Sequence, residues 1–437
     1  MSKPSQSDSP LLTYRLANGL QMVGQYMPDA ASVSLGFFVR TGSRDEPDEE
    51  SSGISHFLEH MVFKGTRTLG WQQLKQEFTR IGAEKNGYTN LEWTYYYLRI
   101  QPEYLERAVK LLSDMMTPRL ASSDFEQEKG VILNEMARDE DKPSLYARRR
   151  MLRVHFGTHP LGHPILGPSE SIQAMSLQQM REYWRRRYVA NNLVFSVVGN
   201  FDWHSLITQV EAYCGTWPSG PVGRMVTPYE PAQSAQVVFV RPHLKQQTLL
   251  LSLPMIATDD PDYHAAHLAA SILGQAQGSR FYWNLYHKGL AQSATSRLWT
   301  FQGTGMLILE ALTTPDNAPQ VLTLMRTELA HLLAHGITEE ELSRAKNKRV
   351  SDMVFSSESP SHRMYWLATD WMFLGHVSRV EEDIALVEQV TGEDVMRMLH
   401  RFPLLDKQVL TALGPLDEEA LSASGDSRRE GAWHALA

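Results

Sequence analysis

The stretch ISHFLEHMVFK, residues 54–64, carries the strongest signal for the fold, and it suits an α-helix. His56 and His60 are four residues apart in it, so on a helix both imidazoles lie on one face. Two neutral imidazoles in that arrangement can bind one metal ion. Zinc suits this set when a carboxylate completes it and a fourth position is left for water.

The five residues 56–60 form an H-x-x-E-H sequence, the inverted form of the zincin motif. Glu59 lies one residue from His60 and three from His56. It can therefore reach water on the metal without being a ligand, which is the position of a general base. The alternative is an ordinary helix whose histidines are satisfied by hydrogen bonds, and the motif by itself leaves that alternative open.

A third metal ligand has to come from another segment. Ser123 and Glu126 fit a capping box that opens a second helix through EKGVILNEM. This helix offers Glu126, Glu128 and Glu135 as carboxylates, and the last two are seven residues apart on one face. One of these two could bind the metal while the other supports a histidine, and the spacing does not decide which.

The order of predicted elements divides the chain into two α+β halves. The first half contains a hairpin at Asn18-Gly19 and strands at 33–40 and 94–100. A stretch rich in Pro and Gly follows at 217–223, and after it the order of strands and helices recurs. The predicted division is a domain with the metal site at 1–216, a linker at 217–230 and a non-catalytic repeat at 231–437.

Composition limits the class of protein further. Of the 437 residues, 42% are hydrophobic, which excludes a mainly disordered chain. The net charge of −8 lacks the basic character of a nucleic-acid binder. The single cysteine, Cys214, cannot form an internal disulfide. The polar N-terminus, residues 1–10, and the lack of any run of about 20 apolar residues favour a cytoplasmic protein with no membrane partner.

Three stretches resemble, in their order, motifs of the pitrilysin/insulinase family of inverted zinc peptidases: GISHFLEHMVFKGT, GAEKNGYTNLEWTYYY and EKGVILNEM. HPLGHPILG and NLVFSVVGNFD resemble further landmarks of the family, so the resemblance spans nearly the whole chain. The chain is similar to the half-size members of this family, and these members resemble subunits of mitochondrial processing peptidase. The resemblance implies an α+β fold of two related domains, each with helices on a mostly antiparallel sheet.

The resemblance also implies a role for each residue of the metal site. Zinc is the implied cofactor, with His56, His60 and Glu135 as its ligands. Glu59 matches the general base, and Glu128 matches the carboxylate that supports a ligand from behind.

Two residues of the second motif match positions that bind substrate. Asn86 matches an asparagine that binds the substrate backbone, and Gly87 stands where the family usually has Ala. The neighbouring strand resembles the edge to which the family adds an extended peptide. Because Asn-Gly is itself a turn signal, a turn at Asn86 is the alternative.

The second half lacks the metal motif. His264 and His267 lie three residues apart in YHAAHLAAS with no Glu between them, and the downstream ELSRAKNKR is basic. We therefore predict a non-catalytic copy whose histidines are structural. The runs RRRMLRVHF and WRRRY are interpreted as solvated helix faces, with a basic rim for an acidic peptide or a partner subunit as the alternative.

One departure from the family affects function. Active members often carry an Arg and a Tyr in a stretch that corresponds to SRFYWNLYHKGLAQS in this chain. The first part of this stretch, SRFYWNLYHKG, is predicted to be a helix. Gln292 stands at the Tyr position, and Leu285 or Tyr286 at the Arg position. The sequence therefore supports a zinc endopeptidase for extended peptides or unfolded segments, as a homodimer or a heterodimer with a related subunit. The alternative is a peptide-binding or assembly subunit with weak or partner-dependent catalysis.

Overall fold

The structure, a computed structural model, describes residues 11–48, 51–224, 226–230, 234–275 and 277–422. The polar N-terminal residues 1–10 lie outside this range. The strands are Leu11–Arg15 (β1), Gln21–Tyr26 (β2), Val33–Val39 (β3), Glu84–Thr89 (β4), Thr94–Ile100 (β5), Leu193–Gly199 (β6), Ala235–Val240 (β7), Gln247–Met255 (β8), Ala291–Phe301 (β9), Thr304–Thr313 (β10) and Val409–Gly414 (β11).

The α-helices of the described residues range from single turns to long rods. They are Ile54–Val62 (α1), Trp71–Arg80 (α2), Leu105–Met115 (α3), Ser122–Glu140 (α4), Pro143–Phe156 (α5), Ser169–Ala174 (α6), Leu177–Arg187 (α7), Trp203–Cys214 (α8), Tyr263–Ala270 (α9), Ala318–His335 (α10), Glu339–Ser357 (α11), Pro360–Phe373 (α12), Val380–Gln389 (α13), Gly392–His400 (α14) and Glu418–Ser422 (α15).

The strands form two sheets with the same internal order. The first runs β1-β2-β6-β3-β5-β4 and the second β7-β11-β8-β10-β9. In each sheet one pair is parallel, β2 with β6 and β11 with β7, and the other pairs are antiparallel. If β1 is set aside, the two orders match strand for strand. The predicted α+β fold of two related domains, each a mostly antiparallel sheet packed with helices, is confirmed.

The chain divides into two compact units that are not continuous in sequence. The first contains the described residues of 1–138, 163–225 and 354–381, and the second those of 139–162, 226–353 and 382–437. Helix α5, from the first half of the chain, thus belongs to the second unit, and α12 belongs to the first. The sequence-based boundaries 1–216, 217–230 and 231–437 stay a prediction about the repeat.

The centre of the first sheet is buried on both faces. Alternate residues of β3 and β6 point to opposite sides, as strand geometry requires. Phe37 and Phe195, whose ring centroids are 5.0 Å apart, face the core that holds α1, α3, α7 and α8. Phe38 and Val194 face a second apolar cluster, to which α12 contributes Met364. Helices on both faces explain why these strands read as continuous apolar runs.

Several local predictions can be compared with the structure directly. The Asn18-Gly19 hairpin and the strand at 94–100 are confirmed, and Gly19 takes the positive φ of 88° that the turn needs. The helix predicted in SRFYWNLYHKG is instead mainly a π-helix, Tyr282–Tyr286. No helix within the described ranges is long and apolar enough to cross a membrane.

Candidate metal centre

The first turn of α1 is fixed by a glycine and by a carboxylate from outside the helix. Gly53 has φ 92°, and a Cβ added there would lie 2.6 Å from the Leu166 carbonyl oxygen, so glycine is required. The Gly53 N–H donates to Glu46 Oε2 at 2.9 Å and the Ser55 N–H to Oε1 at 3.0 Å. Two N–H groups that a helix start leaves without a partner are thus satisfied, and the direction of α1 is set.

Helix α4 is held against α1 by aromatic stacking. The Phe57 and Phe125 rings stack with centroids 4.7 Å apart. From Phe125, steps of three or four residues lead to Glu128, Ile132 and Glu135, so all four lie along one face of α4. Burial of Phe125 and Ile132 therefore turns both glutamates toward α1.

The start of α4 differs from the prediction. The helix begins at Ser122, and the Phe125 N–H donates to the Ala121 carbonyl at 3.0 Å. Ser123 is thus already inside the helix, and the capping box predicted at Ser123 and Glu126 is wrong. The helix itself is present as expected.

Three predicted residues meet at one point. His56 Nε2 lies 3.8 Å and His60 Nε2 3.6 Å from Glu135 Oε2. The ligand atoms of His56, His60 and Glu135 all lie within 4.8 Å of one another, the only such group in the described part of the chain. Donors about 2 Å from one tetrahedral zinc ion lie roughly 3.4 Å apart, so two nitrogens and one oxygen at these distances fit zinc.

Glu128 is not part of the group formed by His56, His60 and Glu135, and it contacts His60 on the Nδ1 side of the ring. Its Oε1 is 2.9 Å from His60 Nδ1, and Lys64 forms an ion pair with its Oε2. Although burial acts to raise the pKa of Glu128, the bonds from His60 and Lys64 outweigh it and the pKa is lowered. An ionised Glu128 favours the His60 tautomer whose Nδ1–H donates a hydrogen bond to it, and this tautomer leaves the Nε2 lone pair available to a metal ion. The spacing left the roles of these two glutamates open; in the structure Glu135 lies next to both imidazoles and Glu128 is hydrogen-bonded to one of them.

Glu59 lies beside the group of three and is not one of it. Its side chain is nearly buried, and this burial raises its pKa, although the Thr89 hydroxyl donates to Oε2 at 2.7 Å. A carboxyl that holds a proton more readily than usual is suited to general acid–base chemistry near neutral pH. Oε1 faces Gly87, where an added Cβ would lie only 2.9 Å away.

Asn86 and Gly87 lie in β4, at the edge of the first sheet. β4 pairs with β5, Asn86 opposite Tyr97, and no other strand of the described residues lies beyond it. The alternative of a turn at Asn86 is therefore wrong. The exposed Asn86 accepts a hydrogen bond from the Gly87 N–H at 3.0 Å, and Gly87 brings this edge against Glu59.

The second unit has no counterpart of the metal group among the residues that the structure describes. Burial lowers the pKa of His264 to about 4 and that of His267 well below its usual range, and the nearby charge of Arg349 acts in the same direction. Both imidazoles are therefore neutral. Gln292 lies on β9 and accepts a hydrogen bond from the side chain of Gln246.

Three residues that hold the site were not predicted from the sequence. Thr89 could have been found, because it lies two residues after Gly87 and so on the same side of the strand. Lys64 is one helical turn after His60, which is a weaker signal. Nothing in the sequence indicated that Glu46 caps α1.

The fold and the site define a two-unit α+β protein with an inverted histidine–glutamate metal motif. Residues 21–169 match the family model described as Insulinase (Peptidase family M16), and residues 174–349 match one described as Peptidase M16 inactive domain. The chain is 31% identical to an uncharacterized zinc protease of Mycobacterium leprae, across 92% of this chain and 91% of that protein. The chain belongs to the M16 peptidase family, which confirms the resemblance.

Other relatives agree with this assignment. An uncharacterized zinc protease of Streptomyces coelicolor is 29% identical over 94% of this chain and 91% of its own length. A structure titled as a peptidase M16 inactive domain from Pseudomonas fluorescens has a TM-score of 0.86 at 22% identity, over 93% of this chain and 98% of its own. A protease from Helicobacter pylori has the same score at 21% identity, over 93% and 99%. At these identities the two structures support the fold.

Proposed function

We propose that the chain is a zinc endopeptidase that cleaves extended peptides or unfolded segments of proteins. The observation that carries this proposal is the meeting of His56, His60 and Glu135 at one point, with Glu59 beside them and outside the group. Three protein ligands and a separate carboxylate are the composition of a catalytic zinc site rather than a structural one, which fills all four positions with protein atoms.

In the proposed mechanism the metal ligands and the general base are different residues. His56, His60 and Glu135 would hold the ion. When bound, zinc supplies a Lewis acid that polarises the scissile carbonyl and makes water a stronger nucleophile. Glu59 accepts the proton of the attacking water at Oε1, since Thr89 occupies Oε2. Its raised pKa favours keeping that proton until the leaving nitrogen takes it.

The open edge of strand β4 supports the proposal that the substrates are extended peptides. An extended peptide that pairs with β4 would form main-chain hydrogen bonds next to Glu59, with Asn86 as a further contact to its backbone. Main-chain pairing tolerates varied side chains, and it requires a segment that is not already folded. Unfolded or flexible segments are therefore the proposed substrates.

A second candidate function is a peptide-binding or assembly subunit with weak or partner-dependent catalysis. Gln292 favours it, because at the position of the family's Tyr this chain has a glutamine whose side chain bonds to Gln246. We propose that the chain acts as a homodimer or as a heterodimer with a related subunit. In a heterodimer the partner would supply the missing groups.

The test compares the purified, zinc-loaded wild type with Glu59→Gln and Glu126→Gln on a mixture of short unstructured peptides. Glu126 is an exposed carboxylate on the same helix as Glu135, so Glu126→Gln controls for loss of charge. We expect Glu59→Gln to keep zinc and to lose at least about a hundredfold in cleavage rate, with Glu126→Gln unaffected. Equal cleavage by Glu59→Gln and wild type would contradict the assignment.

The same samples separate the two candidate functions. Size-exclusion chromatography gives the oligomeric state of the chain alone. A wild type that binds zinc and peptide without any cleavage would favour the binding subunit, and adding a related chain that carries the Arg and Tyr would then test partner-dependent catalysis.

A further inference from the structure

A cleft of about 350 Å³ in the first unit is lined mainly by arginines and shares no residue with the metal centre. Arg67 follows α1, Arg119 lies just before α4, and α7 contributes Arg181 and Arg185. Trp184 and Leu120 also line it. We call this feature the arginine cleft.

Positive charge in the arginine cleft is poorly balanced. Arg119 pairs with Asp124 at 2.6 Å, and no lining residue is itself a carboxylate. In the described part of the chain, neither Arg67 nor Arg185 makes an ion pair. Arg181 and Arg185 are four residues apart on α7, a spacing at which like charges repel. All four arginines are exposed to solvent, and an anion in the cleft would balance the charge of the three that form no ion pair within the described residues.

Two of the lining side chains are held in place by the backbone. Arg181 Nη2 donates to the Leu120 carbonyl at 2.8 Å, and Trp184 Nε1 donates to the Met116 carbonyl at 3.0 Å. The Thr66–Pro118 bridge joins the segments that carry Arg67 and Arg119. Arg181 and Trp184 are therefore positioned before a ligand enters, which lowers the entropy that this part of the cleft loses on binding.

The three arginines of the basic run WRRRY, which the sequence analysis interprets as a solvated helix face, make different contacts. Arg187 donates to the Thr41 hydroxyl and to the Arg40 carbonyl, so it is structural. The Arg186 guanidinium lies over the Tyr183 ring at 5.7 Å from its centroid. Arg185 lines the arginine cleft instead.

We propose that the arginine cleft binds a small phosphate-bearing anion of the pyrophosphate class. Guanidinium groups form paired hydrogen bonds with phosphate oxygens. The arginines approach from three separate segments, and tetrahedral phosphates offer oxygens in several directions, whereas a carboxylate offers two in one plane. The cavity volume lies at the lower end of the range for small-molecule sites, which suits a compact ligand.

The test is calorimetric titration of the purified full-length chain with pyrophosphate at constant ionic strength. The variants are Arg185→Gln and Arg67→Gln, which remove cleft guanidinium groups from two different segments. Arg186→Gln is the matched control, since it removes one charge from the same helix outside the cleft. We expect saturable binding by the wild type and by Arg186→Gln, and binding weakened about tenfold or more in each cleft variant.

Several outcomes would overturn the proposal. These are no saturable binding by the wild type, or equal weakening in Arg185→Gln and Arg186→Gln, which would indicate a general effect of charge. Citrate in place of pyrophosphate tests the phosphate class, and equal affinity for both would contradict it. Melting temperatures of all variants check folding, and the two cleft variants give independent readings if one of them fails to fold.

Discussion

Gly87 is the residue on which the position of the Glu59 carboxylate depends most directly. A Cβ at this position would lie 2.9 Å from both Glu59 Oε1 and Phe63 Cε2, closer than atoms tolerate. The end of a flexible Glu side chain moves more easily than a packed ring, so we expect Gly87→Ala to displace the Glu59 carboxylate from its bond with Thr89. The expected result is a fall in kcat of about tenfold at nearly unchanged stability, measured by peptide cleavage and thermal unfolding.

Because the family that the chain resembles usually has Ala at this position, either result of the Gly87→Ala experiment is informative. Wild-type activity in Gly87→Ala would contradict the prediction and show that Glu59 works equally well from a second position. A large loss of stability would mean instead that Phe63 and the backbone had moved.

We expect His155 to make the stability of the second unit depend on pH. Burial lowers its pKa to about 4, and its Nδ1 lies 3.0 Å from Ser252 Oγ. In an unfolded chain a histidine has a pKa of about 6.5. As pH falls below about 6.5 the unfolded chain takes up the proton first, so the free energy of unfolding decreases until the pKa of the folded state is reached. Above about 6.5 this stabilisation is fully present.

His155→Gln should therefore reduce the pH dependence of stability. Urea unfolding of wild type and variant at about pH 7 and about pH 4.5 measures it. We expect the difference between the two pH values to be smaller in the variant by on the order of 2 kcal/mol. The same difference in both proteins would contradict the lowered pKa.

At the scale of the helix, two glycines test what backbone conformation contributes to stability. Gly130 lies inside α4, and an added Cβ meets no described heavy atom within 4 Å. Gly82 after α2 has the same free space but a φ of 59°. Gly130→Ala should raise the free energy of unfolding by about 0.5–1 kcal/mol. Gly82→Ala should lower it by roughly 1 kcal/mol, because a Cβ is disfavoured in the left-handed region.

Urea denaturation of the two variants beside wild type is the measurement. The pair is matched, since neither substitution adds a contact and the expected effects have opposite sign. A stability change of the same sign in both variants would show that something other than backbone conformation dominates.

Elements were predictable where local pattern and burial agree. Strand β5, with aromatic and β-branched residues, was predicted with its observed bounds of 94–100. The polar EKNGYT of β4 was not recognised, because Asn-Gly favours a turn in isolation and only pairing with β5 makes it a strand. Spacing placed Glu128 and Glu135 on one face. It did not separate their roles, since these depend on where α1 crosses α4.

At the scale of the whole molecule, the sequence indicated two units but not which helices belong to each. Helix α5 packs on β8 and β11 of the second unit, and its Arg148 forms a two-point ion pair with Glu310 on β10 of the same sheet. Helix α12 packs on β2, β3 and β6 of the first. Periodicity predicts that a helix has an apolar face, but it does not identify the sheet that covers that face.

The place of α12 leads to a prediction about the separate halves. Its residues Met364 and Leu367 pack with Phe38 and Val194 on the first sheet, and the Ser196 hydroxyl donates to the Met364 carbonyl at 2.8 Å. A fragment ending before 226 lacks α12 and would expose this apolar face to water. Burying such side chains contributes about 1.5–3 kcal/mol each, comparable in sum to the stability of a whole domain.

We therefore expect fragment 1–225 expressed alone to aggregate or to unfold without a cooperative transition. Co-expression with 226–437 should restore a soluble complex that binds zinc, because the same cut then leaves both α5 and α12 available to their sheets. Circular dichroism, size-exclusion chromatography and metal analysis of the fragment and of the complex measure this. A soluble 1–225 with cooperative unfolding and bound zinc would contradict the prediction, since the first sheet would then be stable without the helix from the other half of the chain.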